Sequence, residues 1–136
     1  MRAIITYLNF DGNTRNAMTF YHRCLGGELL MAPFSEMPGD SPKEARDRIM
    51  HSKLNFGSAR LMASHTMPGM PFKQGNNFSI CLDCESAEEA GRLFAALGEN
   101  GKVNMPLQDT FWGARFGMLT DQFGVNWMFN YEKPKQ

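Results

Sequence analysis

The sequence lacks a bias of charge. Lys plus Arg and Asp plus Glu are 14 each, so the net charge is zero. No basic patch of the kind that binds nucleic acid or an anionic membrane is implied. It also lacks long apolar runs, and none approaches the roughly 20 residues of a membrane helix. The opening Met1-Arg2-Ala3-Ile4-Ile5-Thr6-Tyr7 has neither the apolar core nor the cleavage site of a signal peptide and reads as a strand. Cysteine is scarce: Cys24, Cys81 and Cys84 form an odd set, which fits free thiols in a reducing, cytoplasmic setting. Cys81 and Cys84 have C-x-x-C spacing, but in a strand-like context that points them to opposite sides, and no second pair completes a zinc site. They read as structural thiols. A Gly-x-Ser-x-Gly elbow, a phosphate-binding loop and a dinucleotide fingerprint are all missing.

Aromatic and sulfur-bearing side chains are plentiful. Eleven Phe and eleven Met in 136 residues are enough for one compact core. Residues 3–10 read as a strand. Asp11-Gly12-Asn13 breaks it, with Asn13 a helix cap. Ala17, Phe20, Tyr21 and Cys24 recur at helical spacing until Gly26-Gly27. A strand follows over 28–34. Residues 35–47, polar and with two prolines, read as a mobile loop that gates a site from its rim. Strands over 48–55 and 58–65 form a hairpin around Phe56-Gly57. Residues 66–76 are a Pro/Gly-punctuated linker that includes Met67.

The order then recurs. A strand over 77–84 leads to the capping box Ser86-Ala87-Glu88-Glu89 and a helix with Ala90, Leu93, Phe94 and Leu97 on one face, closed near Gly98. Strands at 102–108, 115–120 and 125–131 follow, the last two around Asp121-Gln122-Phe123-Gly124. The sequence is an internal repeat of β-α-β-β-β. Module 1 covers about 1–65 and module 2 about 77–131. The expected fold is α+β: two tandem βαβββ modules, one helix each, forming a cupped mixed sheet around a small-molecule site.

The repeat, the Phe20-Tyr21 helix ending in Leu25-Gly26-Gly27, and Asp121-x-x-Gly124 after a strand resemble the vicinal-oxygen-chelate (glyoxalase/bleomycin-resistance) superfamily. Tyr7-Leu8-Asn9-Phe10-Asp11-Gly12-Asn13, Ile49-Met50-His51-Ser52-Lys53-Leu54, Leu61-Met62-Ala63-Ser64 and the run Met105 to Gly117 narrow the resemblance to its PhnB-like proteins. Metal enzymes of the superfamily draw His, Gln or Glu ligands from four cup-facing strand positions. Counting from the motifs puts those positions at Thr6, at Leu61 or Ala63, at Ser79 and at Met128. That set does not suit Zn²⁺, Ni²⁺, Fe²⁺ or Mn²⁺, so no metal and no cofactor are expected. If Met128 faces the cup, Trp127 and Phe129 face the helix.

The resemblance therefore implies a metal-free binding protein for an unknown small molecule. Its candidate cup-facing residues are Thr6, Leu8, Phe10, His51, Leu61, Ala63, His65, Ser79, Trp112, Arg115 and Met128. The alternative is an enzyme, with a divergent site around His51, His65, Asp109 or Arg115, or a metal-dependent lyase or dioxygenase. For His51, His65 and Trp112 the competing reading is a structural or packing role. Methyltransferase names attached to some PhnB-like proteins find no support in a glycine-rich loop for S-adenosylmethionine. Exposed sheet edges imply a two-fold homodimer.

Overall fold

The computed structural model describes residues 1–33, 49–66 and 70–134. The gating loop expected over 35–47, and Met67 in the linker, lie outside the described residues. The chain divides into two compact units, Met1–Gln74 and Gly75–Gln136.

The first unit runs β1 (Thr6–Phe10), α1 (Thr14–Leu25), β2 (Glu28–Pro33), β3 (Ile49–Phe56) and β4 (Ala59–His65). Its strands lie in the order β1-β4-β3-β2. β1 and β4 are parallel and the other pairs antiparallel. The second unit runs β5 (Ile80–Asp83), α2 (Ala87–Leu97), β6 (Lys102–Asp109), β7 (Ala114–Thr120) and β8 (Asn126–Glu132). The order β5-β8-β7-β6, with β5 and β8 parallel, repeats the first unit strand for strand. No helix of the described residues is long and apolar enough to cross a membrane.

Each helix covers one face of its own sheet. In the first unit Ala17, Met18, Phe20, Tyr21 and Cys24 of α1 are buried, as are Leu8, Phe10, Leu54, Leu61 and Ala63 of the strands. The strand residues are register neighbours: Leu8 opposes Ala63, and Leu61 opposes Leu54. The chain returns from α1 to β2 through Gly26 and Gly27. At Gly27, with φ +87°, an added Cβ would stand 2.0 Å from the Asn55 carbonyl oxygen, so only glycine fits.

In the second unit Trp127 and Phe129 lie in the core with Leu119, Leu93 and Leu97, the side expected of them. Phe94 meets Phe129 edge to face at 5.1 Å. It also sits over Gly117, where an added Cβ would come within 2.9 Å of Phe94 Cε2. Pro106 lies in β6, an edge strand, where a missing N–H breaks no ladder.

The two helices start differently. At α2 the capping box forms: Glu89 N–H donates to Ser86 Oγ at 3.0 Å, and the Glu89 carboxylate accepts from Glu85 N–H at 3.0 Å. At α1 the expected cap is corrected, because Asn13 makes no side-chain cap bond. The imidazole of His65, on β4, takes over. Thr14 N–H points at its Nε2 at 3.1 Å and Ile49 N–H at its Nδ1 at 2.7 Å. A neutral imidazole accepts at one nitrogen only, so the two amides share the ring rather than bonding to it together. His65 thus ties the start of α1 to the start of β3 inside the core.

The corresponding polar anchor of the second unit is Asp121, only 4% exposed. Its Oδ1 accepts from Phe123 N–H at 2.8 Å and Val125 N–H at 3.0 Å, and its Oδ2 accepts from the Trp127 indole at 2.8 Å. One carboxylate therefore shapes the β7–β8 turn and fixes the largest side chain of the core.

Two stability measurements follow from these anchors. Asp121→Asn keeps the shape but aims an amide N–H at the indole N–H. It is expected to cost roughly 2–4 kcal/mol in denaturant unfolding, with altered Trp127 fluorescence. Full retention of stability would show that the three bonds are not holding the turn. His65→Phe removes the single acceptor that two buried amides share and is expected to cost roughly 2–4 kcal/mol. Faster hydrogen exchange at Thr14 and Ile49 than elsewhere in α1 and β3 is the specific signature, and unchanged exchange there would refute the cap.

Candidate functional site

Strand alternation sorts the candidates by face. Leu8, Phe10, Leu61, Ala63 and His65 are buried among core residues on the side that α1 covers, and half-buried Thr6 shares their parity. Their placement on the free face is therefore corrected. The residues that occupy that face of β1 and β4 are the neighbours Tyr7, Asn9, Met62 and Ser64. A count to Thr6 from the Phe20-Tyr21 pair crosses the β1–α1 connection. An error of one residue there exchanges the two faces of a strand.

His51 is on the helix-free face, since its neighbour Ser52 opposes Ala63 in the core. It lies 3.3 Å from the Tyr7 hydroxyl through Nδ1. His51 and His65 thus sit on opposite faces of one sheet and form no joint catalytic group.

In the second unit the parity holds. Met128 opposes Cys81 and Met118, away from the Trp127 and Phe129 side. Cys81 is exposed and Cys84 buried, both as free thiols. Burial pushes both thiols up, assisted by the Asp83 carboxylate at Cys81. At Cys84 burial comes first, then Glu89 and Asp83, and the value reaches about 11. A thiol raised in this way is a poor nucleophile at neutral pH.

Trp112 is 59% exposed and Phe111 98% exposed, at the tip of the β6–β7 connection. Arg115 pairs with Asp109 at 3.3 Å, and Lys133 with Asp109 at 2.9 Å. The hydrogen bond and charge of Lys133, followed by those of Arg115, hold the Asp109 carboxyl below its usual range. Asp109 and Arg115 are thereby engaged with each other as the ends of a hairpin. Among the described residues no three His, Cys, Asp or Glu side chains converge to hold a metal ion.

A concavity of about 450 Å³ lies within the second unit. It is lined by Ser79, Asn104, Met118, Thr120 and Asn126, together with Gly75, Asn76, Leu119, Gly124 and Trp127. None of the ten carries a charge. Across its floor runs a hydrogen-bond chain over three strands. Asn104 Nδ2 on β6 donates to Thr120 Oγ1 on β7 at 2.9 Å, and Thr120 Oγ1 donates to Asn126 Oδ1 on β8 at 2.7 Å. The chain leaves an amide oxygen on Asn104 and an amide N–H₂ on Asn126 for a further partner. Ser79 was among the sequence candidates, whereas Asn104, Thr120 and Asn126 were not. Thr120 and Asn126 flank the Asp121–Gly124 turn at mirrored positions, and that was the signal available for them in the sequence.

With this geometry in hand, likeness to known proteins can be set beside it. The model of the family described as 3-demethylubiquinone-9 3-methyltransferase matches residues 2–129. Protein YjdN of Escherichia coli (strain K12) is 37% identical over 138 residues, covering 93% of this chain and 93% of that protein. The crystal structure of PA1353 from Pseudomonas aeruginosa is 48% identical, with a TM-score of 0.90 over 98% of this chain and 100% of that one. For fold alone, a glyoxalase/bleomycin resistance protein from Albidiferax ferrireducens T118 gives a TM-score of 0.66 at 14% identity, over 98% of this chain and 100% of that one. The chain belongs to the family of that matching model, and is a PhnB-like protein of glyoxalase/bleomycin-resistance fold.

Proposed function

We propose that this protein binds an uncharged small molecule, through hydrogen bonds and apolar contact, in the concavity of its second unit and without a metal ion. The observation that carries the reading is the lining. It offers the Asn104–Thr120–Asn126 chain, the Ser79 hydroxyl and Met118, and no acid, base, nucleophilic thiol or cation. Such a surface recognises amide, carbonyl and hydroxyl groups on a partly apolar body. It holds no side chain suited to general acid–base work, which favours binding over catalysis there.

The family's name raises methyl transfer. A dinucleotide-type or S-adenosylmethionine-type nucleotide site of the α/β kind uses a glycine-rich strand-to-helix turn. Here those turns are Asp11-Gly12-Asn13 and Cys84-Glu85-Ser86. The residues do not fit a methyl donor of that kind, and no methyl-transfer step is derived. The same reading includes a two-fold homodimer, supported by the edge strand β6 with Val103 and Met105 exposed, and a reducing compartment for the three free thiols.

A nuclear magnetic resonance screen of neutral hydroxylated and amide-bearing metabolites tests the proposal. Hits are expected to shift Ser79, Asn104, Thr120 and Asn126, and Thr120→Val, which breaks the chain at its centre, to weaken them about threefold to tenfold. Hits that bind equally well to Thr120→Val place the site elsewhere. Untagged protein dialysed against equimolar Zn²⁺, Ni²⁺, Fe²⁺ or Mn²⁺ is expected to retain well under one equivalent. Stoichiometric retention that EDTA reverses with loss of stability would overturn the metal-free part.

A further inference from the structure

We propose that the helix-free face of the second unit carries a site for a soft monovalent metal ion, Cu(I), built from Cys81, Met128 and Met118 on three adjacent strands. It does not depend on the reading of the concavity, where the ions excluded are divalent, and it shares only Met118 with that lining.

The register assembles the site. Met105 of β6 opposes Met118 of β7, Met118 opposes Met128 of β8, and Met128 opposes Cys81 of β5. The strands lie in the order β5-β8-β7-β6, so one row crosses the whole sheet and every position in it bears sulfur. Residues directly opposed share a face. Trp127 and Phe129, on either side of Met128 in the chain, take the other face and are buried. The row therefore lies on the side that α2 does not cover. Cys81 is exposed, Met118 and Met128 are half-buried, and Met105 is 36% exposed. The fold does not demand sulfur there. The corresponding row of the first unit is Tyr7, Met62, Lys53 and Leu30, with sulfur at Met62 alone.

Thiolate and thioether are soft ligands and select Cu(I) over the divalent ions that favour nitrogen and oxygen. Met128 stands in the middle, with Cys81 on one side and Met118 on the other, each about 4.8 Å away across the sheet. An unbranched thioether with three rotatable bonds turns toward either neighbour. The two thioethers and the Cys81 sulfur are thus able to close on one ion above β8, and Met105 lies one strand further out. Such a site uses no imidazole or carboxylate, so the lack of a cluster of three His, Cys, Asp or Glu among the described residues does not bear against it. On binding, the Cys81 S–H bond breaks, its electron pair goes to the metal and its proton leaves to solvent, with no electron transferred. One positive charge replaces another. The Asp83 carboxylate, which disfavours a free thiolate at Cys81, therefore does not oppose the exchange. Cys24 and Cys84 are buried and do not compete.

The full chain is titrated without oxygen, with Cu(I) supplied as its acetonitrile complex beside a chromogenic Cu(I) chelator. The protein is expected to take up one equivalent, and the methyl resonances of Met118 and Met128 to shift in step with uptake. Met128→Leu and Met118→Leu conserve volume and apolar character. Each is expected to weaken uptake about tenfold or more, as is Cys81→Ser. Unfolding curves matching the parent protein show that the leucine variants are folded. If the row only packs, leucine serves as well as methionine. Undiminished uptake in both leucine variants therefore means a lone thiol and overturns the proposal. So does failure of the unaltered protein to take up one equivalent, or shifts at other methionines in place of Met118 and Met128. Such a failure leaves the concavity reading standing, since Asn104, Thr120 and Asn126 take no part in the metal site.

Discussion

A single helix covers only one face of a four-stranded sheet, and this constraint organises both units. Because side chains alternate along a strand, each of the eight strands among the described residues has one set of residues committed to the helix and one set that its own helix cannot reach. Leu8, Leu61 and Ala63 in the first unit, and Leu119, Trp127 and Phe129 in the second, belong to the committed set and are buried. Tyr7 and His51, and Met128, Thr120 and Asn126, belong to the other. Every functional reading of this fold depends on which set a residue joins.

The committed face is mostly apolar, and two of its buried polar groups hold changes of direction of the chain. His65 fixes the starts of α1 and β3, and Asp121 fixes the β7–β8 turn and the Trp127 indole. Burying such groups is costly unless they are bonded. Both are, to backbone amides that would otherwise lack partners where the chain bends. The two units have the same topology but solve this problem with different chemistry, an imidazole in one and a carboxylate in the other.

Their helix-free faces have diverged as well. The first unit presents titratable groups, Tyr7 and His51 in mutual contact with Lys53 nearby in register. The second presents an uncharged ladder of two amides and a hydroxyl. The two units share strand order and a helix-side core, which packing constrains. A residue at an uncovered position is not held by a helix above it, so the two faces can carry different chemistry.

The sequence by itself determined the repeat, the two helices, the α2 capping box and the side of the sheet taken by Trp127 and Phe129. All of these rest on local spacing, and the reference point for Met128 was a turn only four residues away. Tertiary structure alone decided the parity of β1 and β4, because the count to them crossed a helix and a connection whose length alternation does not constrain. It also replaced Asn13 by His65 as the anchor of α1, a partner 51 residues distant in the chain. The Tyr7–His51 contact and the Asn104–Thr120–Asn126 chain likewise join residues from different strands. Such contacts are set by sheet register and strand order, and a one-residue slip in either would have dissolved them without disturbing any local pattern.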